Sequence, residues 1–298
     1  MLKKEIIAET FKNIQDEITS GLETIDGKKF HEDVWERAEG GGGRTRTIEG
    51  AVIEKGGVAF SAVHGKMPEK ISEALQLPPS DFFATGVSLV LHPANPWVPI
   101  IHMNVRYFEM SNGTKWFGGG IDLTPHYIIK QEANFFHTQL KTTCDKFSPN
   151  YYPKFKQWAD DYFFIKHRNE TRGIGGIFFD RLSEDAEFTI EQRFEFVAAL
   201  GRSFLLTYLP LIAGNKDNPF SEREKQWQYQ RRGRYVEFNL VYDKGTKFGL
   251  DTNGRTESIL MSLPPTAQWK YDFKVEKNSH EEATLNLLKK DIDWIGLA

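Results

Sequence analysis

Residues 88–106 read Ser88-Leu-Val-Leu-His92-Pro-Ala-Asn-Pro-Trp-Val-Pro-Ile-Ile-His102-Met-Asn104-Val-Arg106, and their alternation decides the fold. Successive side chains of a strand point to opposite faces. Ile101, Met103, Val105 and Tyr107 therefore share one apolar face, while His102, Asn104 and Arg106 share the other. On the preceding strand Val87, Leu89 and Leu91 form the apolar face, with Ser88, Val90 and His92 opposite. Pro93, Pro96 and Pro99 forbid regular structure between the two. An antiparallel pair centred on Trp97 sets His92 across from His102 and Ser88 across from Arg106. The plain reading is a half-exposed sheet whose polar face meets water. Solvent faces more usually carry Lys, Glu and Thr, however, so Ser, two His, Asn and Arg on one patch read as a binding face.

Working outward, strands are expected at 45–53 and 58–65, joined by a hairpin at Lys55-Gly56-Gly57, and at 83–92. Residues 100–110 and 114–121 form a second hairpin around Asn112-Gly113. Further strands are expected at 174–179 and 235–242. Helical periodicity covers 8–22, 128–146, 151–166, 190–208 and 281–295. Ser221 opens another helix, with Glu224 three residues on as its capping-box partner. About seven strands joined by hairpins or long helical excursions predict an α+β fold, an antiparallel sheet with helices packed on it. No repeat, low-complexity tract or linker divides the chain, so residues 1–298 are expected to form one domain.

The composition narrows the function. Hydrophobic residues make up 40% of the 298, enough for a packed core, and the net charge is −3. The expected protein is cytoplasmic, with no membrane span, no targeting segment and no nucleic-acid partner. One cysteine, Cys144, excludes an internal disulfide and a cysteine-ligated iron–sulfur cluster. The aromatic residues, 23 Phe, 10 Tyr and 7 Trp, suit a large core or a pocket for a flat ligand.

Gly118-Gly119-Gly120 mark a bulge or a place of close approach, and Asp122 just beyond them is placed to hold a cationic or N–H-bearing group. A two-residue turn at Asn112-Gly113 puts Ile121, not Asp122, on the His102 face. A longer turn or a bulge among the glycines reverses that, and a cap before Thr124-Pro125 is the alternative role. Gly40–Gly43 with Arg44 and Arg46 resemble a phosphate loop only superficially. Those two arginines and Arg255, in Gly249-Leu-Asp251-Thr-Asn253-Gly254-Arg255, suggest forked donors for a polyanionic small ligand. His137 and His167 show no metal-ligand spacing.

At these segments, 39–46, 57–65, 88–106, 116–125, 162–180, 231–239 and 248–265, the sequence resembles the oxygen-dependent coproporphyrinogen III oxidases along nearly its whole length. Thr45 and Asn253 depart from the residues many members carry. The resemblance implies a seven-stranded antiparallel sheet between helices, a homodimer, and oxidative decarboxylation of two propionates of coproporphyrinogen III to vinyls in haem biosynthesis. Molecular oxygen is the oxidant, and carbon dioxide and hydrogen peroxide leave. It implies His102 as proton donor, Asp122 as the holder of the pyrrole N–H groups, and substrate contacts from Ser88, Asn104, Val105, Arg106, Asn253, Gly254 and Arg255. It also allows a divalent metal on His92, His102, His137 and His167, although no organic cofactor. A metal-dependent oxidase and a non-catalytic tetrapyrrole carrier are the rival readings. The region 232–269, with its expected strand, is the candidate dimer interface.

Overall fold

Ile7, Phe11, Ile14, Ile18 and Leu22 recur at helical spacing, and they form the buried stripe of α1 (Lys4–Asp26). Each is fully or almost fully buried, a gain of roughly 1.5–3 kcal/mol per side chain. The structure, a computed structural model, describes residues 2–67, 72–73, 78, 80–251 and 254–297. The strands β1 (His31–Glu36), β2 (Gly41–Ile48), β3 (Ile53–Lys66), β4 (Asp81–Pro93), β5 (Ile100–Met110), β6 (Lys115–Thr124) and β9 (Gly175–Leu182) make one sheet in that order. Every neighbouring pair in it is antiparallel. The short β7 (Phe164–Ile165) and β8 (Glu170–Thr171) pair separately. The fold is α+β.

The alternation read along β4 and β5 holds. Val87, Leu89, Leu91, Ile101, Met103, Val105 and Tyr107 enter the main core, under α1, α2 (Lys130–Asp145), α4 (Ile190–Arg202) and α5 (Phe204–Asn215). The opposite face meets α3 (Tyr151–Tyr162) and α6 (Glu222–Val241) only in part: Tyr235 packs on Val90 and Ile100, and Phe238 on Ala159, Phe163 and Ile165. After α6 come α7 (Lys244–Asp251), α8 (Thr256–Leu260) and α9 (His280–Leu287).

Several expectations are corrected. Residues 235–242 belong to α6, which Ser221 and Glu224 open with a capping box as expected. Its buried residues are Trp227, Gln228, Gln230, Arg231, Arg232, Gly233, Tyr235, Phe238 and Asn239. More than half of them are polar or charged, so hydrophobic periodicity could not reveal the stripe. Among the described residues of 232–269 there is thus no strand edge and Arg232 is completely buried against Glu54, while Leu240, Val241, Leu250 and Trp269 are exposed there. The seventh strand is instead β1, whose mostly exposed residues carry no hydrophobic signal. The first hairpin turns at 49–52, where Gly50 N–H donates to Ile53 O at 2.7 Å. Gly56 and Gly57 lie inside β3, where Met261 comes so close that a Cβ on Gly57 would meet its sulfur at 2.6 Å.

The β4–β5 register is two residues from the expected one. Val90 faces His102, Ser88 faces Asn104 and Gly86 faces Arg106. The proline-rich crossing is pinned from outside: Asn95 donates to Lys216 O and Asn218 O at the end of α5 and accepts from Trp97 N–H. The helix expected over 190–208 breaks at Ser203 and resumes to Asn215. On length and composition alone, residues 190–215 suffice to cross a bilayer, contrary to the sequence reading. More than half of that window is buried, and Ile190, Phe196, Val197, Leu200, Phe204, Tyr208, Leu211 and Ile212 lie in the main core.

Candidate active site

The β5–β6 turn settles the direction of Asp122. Met110 N–H donates to Thr114 O and Gly113 N–H to Met110 O, closing a three-residue loop with Gly113 at φ +90°. A left-handed third residue is the usual end of such a loop, and glycine adopts it without steric cost. One residue more in the loop than a two-residue turn shifts the phase. Asp122 then pairs directly with His102.

Asp122 is 1% exposed. Its Oδ1 accepts from His102 Nδ1 at 2.8 Å and its Oδ2 from Arg172 Nη2 at 2.7 Å. Burial pushes the Asp122 pKa up, but the Arg172 charge and the His102 and Arg172 hydrogen bonds outweigh it, and the net shift is below the usual value. An ionised carboxylate only accepts, so His102 Nδ1 carries the proton. His102 Nε2 is then the acceptor nitrogen of the ring, which is 23% exposed. Each carboxylate oxygen keeps one further acceptor position.

Arg172 was not singled out from sequence. It is buried, its Nη1 donates to Asn239 Oδ1 at 2.8 Å, and its guanidinium lies 4.5–4.7 Å from the Phe163, Tyr235 and Phe238 ring centroids. Fifty residues separate it from Asp122. The pairing Asp122↔Gly176 brings the turn before β9 beside the acid, and no local motif signals that contact.

Ser88, Asn104 and Arg106 lie along the same face and are partly exposed. Arg106 donates through Nη1 to Asn104 Oδ1 at 3.1 Å and through Nη2 to Asp180 Oδ1 at 2.8 Å. Val105 is fully buried in the main core, so its side chain cannot reach a ligand on this face. Residues 254–263 cover the β1–β3 end: Ser258 Oγ meets Thr45 Oγ1 at 3.3 Å and Lys55 Nζ donates to Leu263 O at 2.7 Å. Arg255 donates to Asp33 and stacks on Trp35, and Gly254 precedes it, exposed. Asn253 lies outside the described residues. Arg44 and Arg46 point to the other face, where Asp16 and Glu32 take them.

The four histidines do not fit a shared metal. His92 is buried, with Nε2 on Ser262 O, and burial lowers its pKa to about 3. His137 lies on the buried face of α2, with both ring nitrogens occupied by Tyr152 Oη and Ile174 O. His167 is exposed and held by Tyr242 and Glu237. Among the described residues no three His, Cys, Asp or Glu side chains are grouped to hold a metal ion.

A family model described as coproporphyrinogen III oxidase matches residues 6–294. An oxygen-dependent coproporphyrinogen-III oxidase of Prochlorococcus marinus (strain NATL1A) is 48% identical, over 94% of this chain and 88% of its own. A chloroplastic oxygen-dependent coproporphyrinogen-III oxidase of Glycine max is 49% identical, over 95% of this chain and 77% of its own.

Proposed function

The chain belongs to the coproporphyrinogen III oxidase family, and from that premise we propose that it decarboxylates two propionates of coproporphyrinogen III with oxygen through the His102–Asp122–Arg172 group. The observation that carries this reading is the ionised Asp122 carboxylate, buried between two donors and beside Gly118-Gly119-Gly120. Its two remaining acceptor positions suit convergent pyrrole N–H groups, and its fixed charge stabilises positive charge as it develops on the macrocycle. Arg172 holds the acid ionised and aimed. Its ring cage and Asn239 fix the guanidinium before substrate arrives, so reorientation costs nothing during reaction.

Each half-reaction balances as follows. One ionised propionate, one oxygen molecule and one proton yield a vinyl group, carbon dioxide and hydrogen peroxide. The substrate side chain loses two electrons and oxygen gains them. The C–COO⁻ bond breaks, and a hydrogen leaves the carbon next to the pyrrole ring. Transfer of a pyrrole proton makes the ring electron-rich enough to react with oxygen. His102 Nε2 exchanges the proton, while Nδ1–H stays on Asp122. Arg106 and Asn104 receive a propionate at the far end of β5. Four residues of strand put Arg106 about 13 Å from His102, a span that suits a macrocycle with peripheral carboxylates.

Chelator-treated protein incubated with coproporphyrinogen III in air and under argon tests the reading. Product, carbon dioxide and peroxide are expected only in air. Binding without product in air leaves the carrier reading. Turnover lost on chelation and restored stoichiometrically by iron or copper establishes the metal-dependent oxidase instead.

A further inference from the structure

Asp180 sits opposite Gly118 on β9, and three local features converge on it. The β6–β9 ladder passes from Gly119↔Phe179 to Phe117↔Leu182, so Asp180 and Arg181 together oppose the single residue Gly118. Arg181, the extra residue of this bulge, is left-handed at φ +50°, a conformation unfavourable for a non-glycine residue. Bulges of this kind re-aim side chains beside functional sites. The third feature is space. A Cβ on Gly118 would lie 2.6 Å from Asp180 Oδ1, 2.7 Å from Arg106 Nε and 2.9 Å from Arg106 Nη2. The close approach that the glycines permit is thus made by a protein ion pair crossing β6.

We propose that Asp180 is a resident carboxylate that occupies Arg106 in the free protein and yields it to a propionate of the substrate, setting the affinity of that subsite. This rests on the proposed function above. Asp180 takes only one Arg106 nitrogen, at 2.8 Å, and the two side chains are 36% and 41% exposed. An exposed pair of this kind holds the arginine extended yet contributes little stability, so it is easily exchanged. An incoming carboxylate gains the forked guanidinium at the expense of repulsion from Asp180. Asp180 also lines a cavity of ≈ 290 Å³ with Lys154, Arg181 and Arg193 and the acids Glu184 and Asp185, which gives the displaced carboxylate room to move. Asn104 holds Arg106 from its other side throughout the exchange.

The test is the double-mutant cycle of Asp180→Asn and Arg106→Ala, read as the dissociation constant of coproporphyrinogen III titrated under argon. Asparagine keeps an oxygen for Arg106 and removes only the charge. Binding is expected to tighten by about threefold or more in Asp180→Asn, and to be unaffected by the same change in the Arg106→Ala background. Unchanged or weaker binding in Asp180→Asn, or equal tightening without Arg106, overturns the proposal. Because the titration is anaerobic, that failure is distinct from loss of turnover in air, which bears on the proposed function itself.

Discussion

Replacing Asp122 by Asn removes one charge and no volume, and the structure says two separate things about the result. The first concerns stability. Arg172 is buried, with 3% of its side chain exposed, and Asp122 is the only acid within 4 Å among its described partners. Leaving one member of a buried pair uncompensated typically costs about 3–5 kcal/mol. The melting temperature should therefore fall clearly. A role for Asp122 as a simple turn cap predicts almost none of this loss, since Asn caps turns about as well. The second concerns catalysis. An amide does not stabilise positive charge on the macrocycle, and losing a fixed electrostatic group of this kind costs about 100- to 1,000-fold in kcat. The two effects are separated by Asp122→Asn/Arg172→Gln, in which the orphaned charge is gone as well. That variant should recover much of the melting temperature while its turnover stays low. The assay is aerobic conversion of coproporphyrinogen III, read as fluorescence of the oxidised product, with thermal unfolding on the same preparation. A folded double variant that turns over within about tenfold of the parent protein would refute the assignment of Asp122 to the chemistry.

Arg106→Ala should raise KM at least about tenfold, matching the roughly 1.5–3 kcal/mol of a charge-assisted bond. Arg106→Lys should recover only part of that, because lysine lacks the fork; an unchanged KM in Arg106→Ala removes the propionate subsite from β5. Stability should also decline in acid. His92 and His137 are each held near a pKa of about 3, chiefly by burial, and burial likewise lowers His126. Their folded pKa values lie below the unfolded value of about 6.5, so the unfolded chain binds more protons as pH falls. The stabilisation is complete above about pH 6.5 and is lost progressively toward the folded pKa, about 3 for His92 and His137. Glu237 and Glu281, held at about 2 against their buried surroundings by Arg168 and Arg223 respectively, lose theirs mainly below pH 4.5. Urea midpoints between pH 7 and 4.5 should therefore drop steeply, and less steeply in His137→Gln; a flat profile contradicts neutral buried histidines.

The sequence by itself determined which side chains share a face. The period of two is a local property of an extended backbone, so Ile101, Met103 and Val105 could be assigned to the core and His102, Asn104 and Arg106 to the site before any contact was known. Val105 shows the limit of reading roles by adjacency, since it lies between two site residues and points away from both. Where one strand meets the next depends on loops, and loops depend on the rest of the molecule. The register of β4 on β5 follows the Asn95 contacts with the end of α5, 121 residues or more along the chain. The phase of Asp122 follows one extra residue in the Gly113 turn. Local composition misled wherever burial was polar or strands were exposed: α6 hides two arginines, two glutamines and an asparagine in its packed face, while β1 buries none of its residues. Only the tertiary structure brought Arg172 to Asp122, Asn239 to Arg172 and Asp180 to Arg106. The reason is that ion pairs between distant segments leave no periodic trace; they are created by strand pairing, which places residues 50 and 74 positions apart within 2.8 Å of one another.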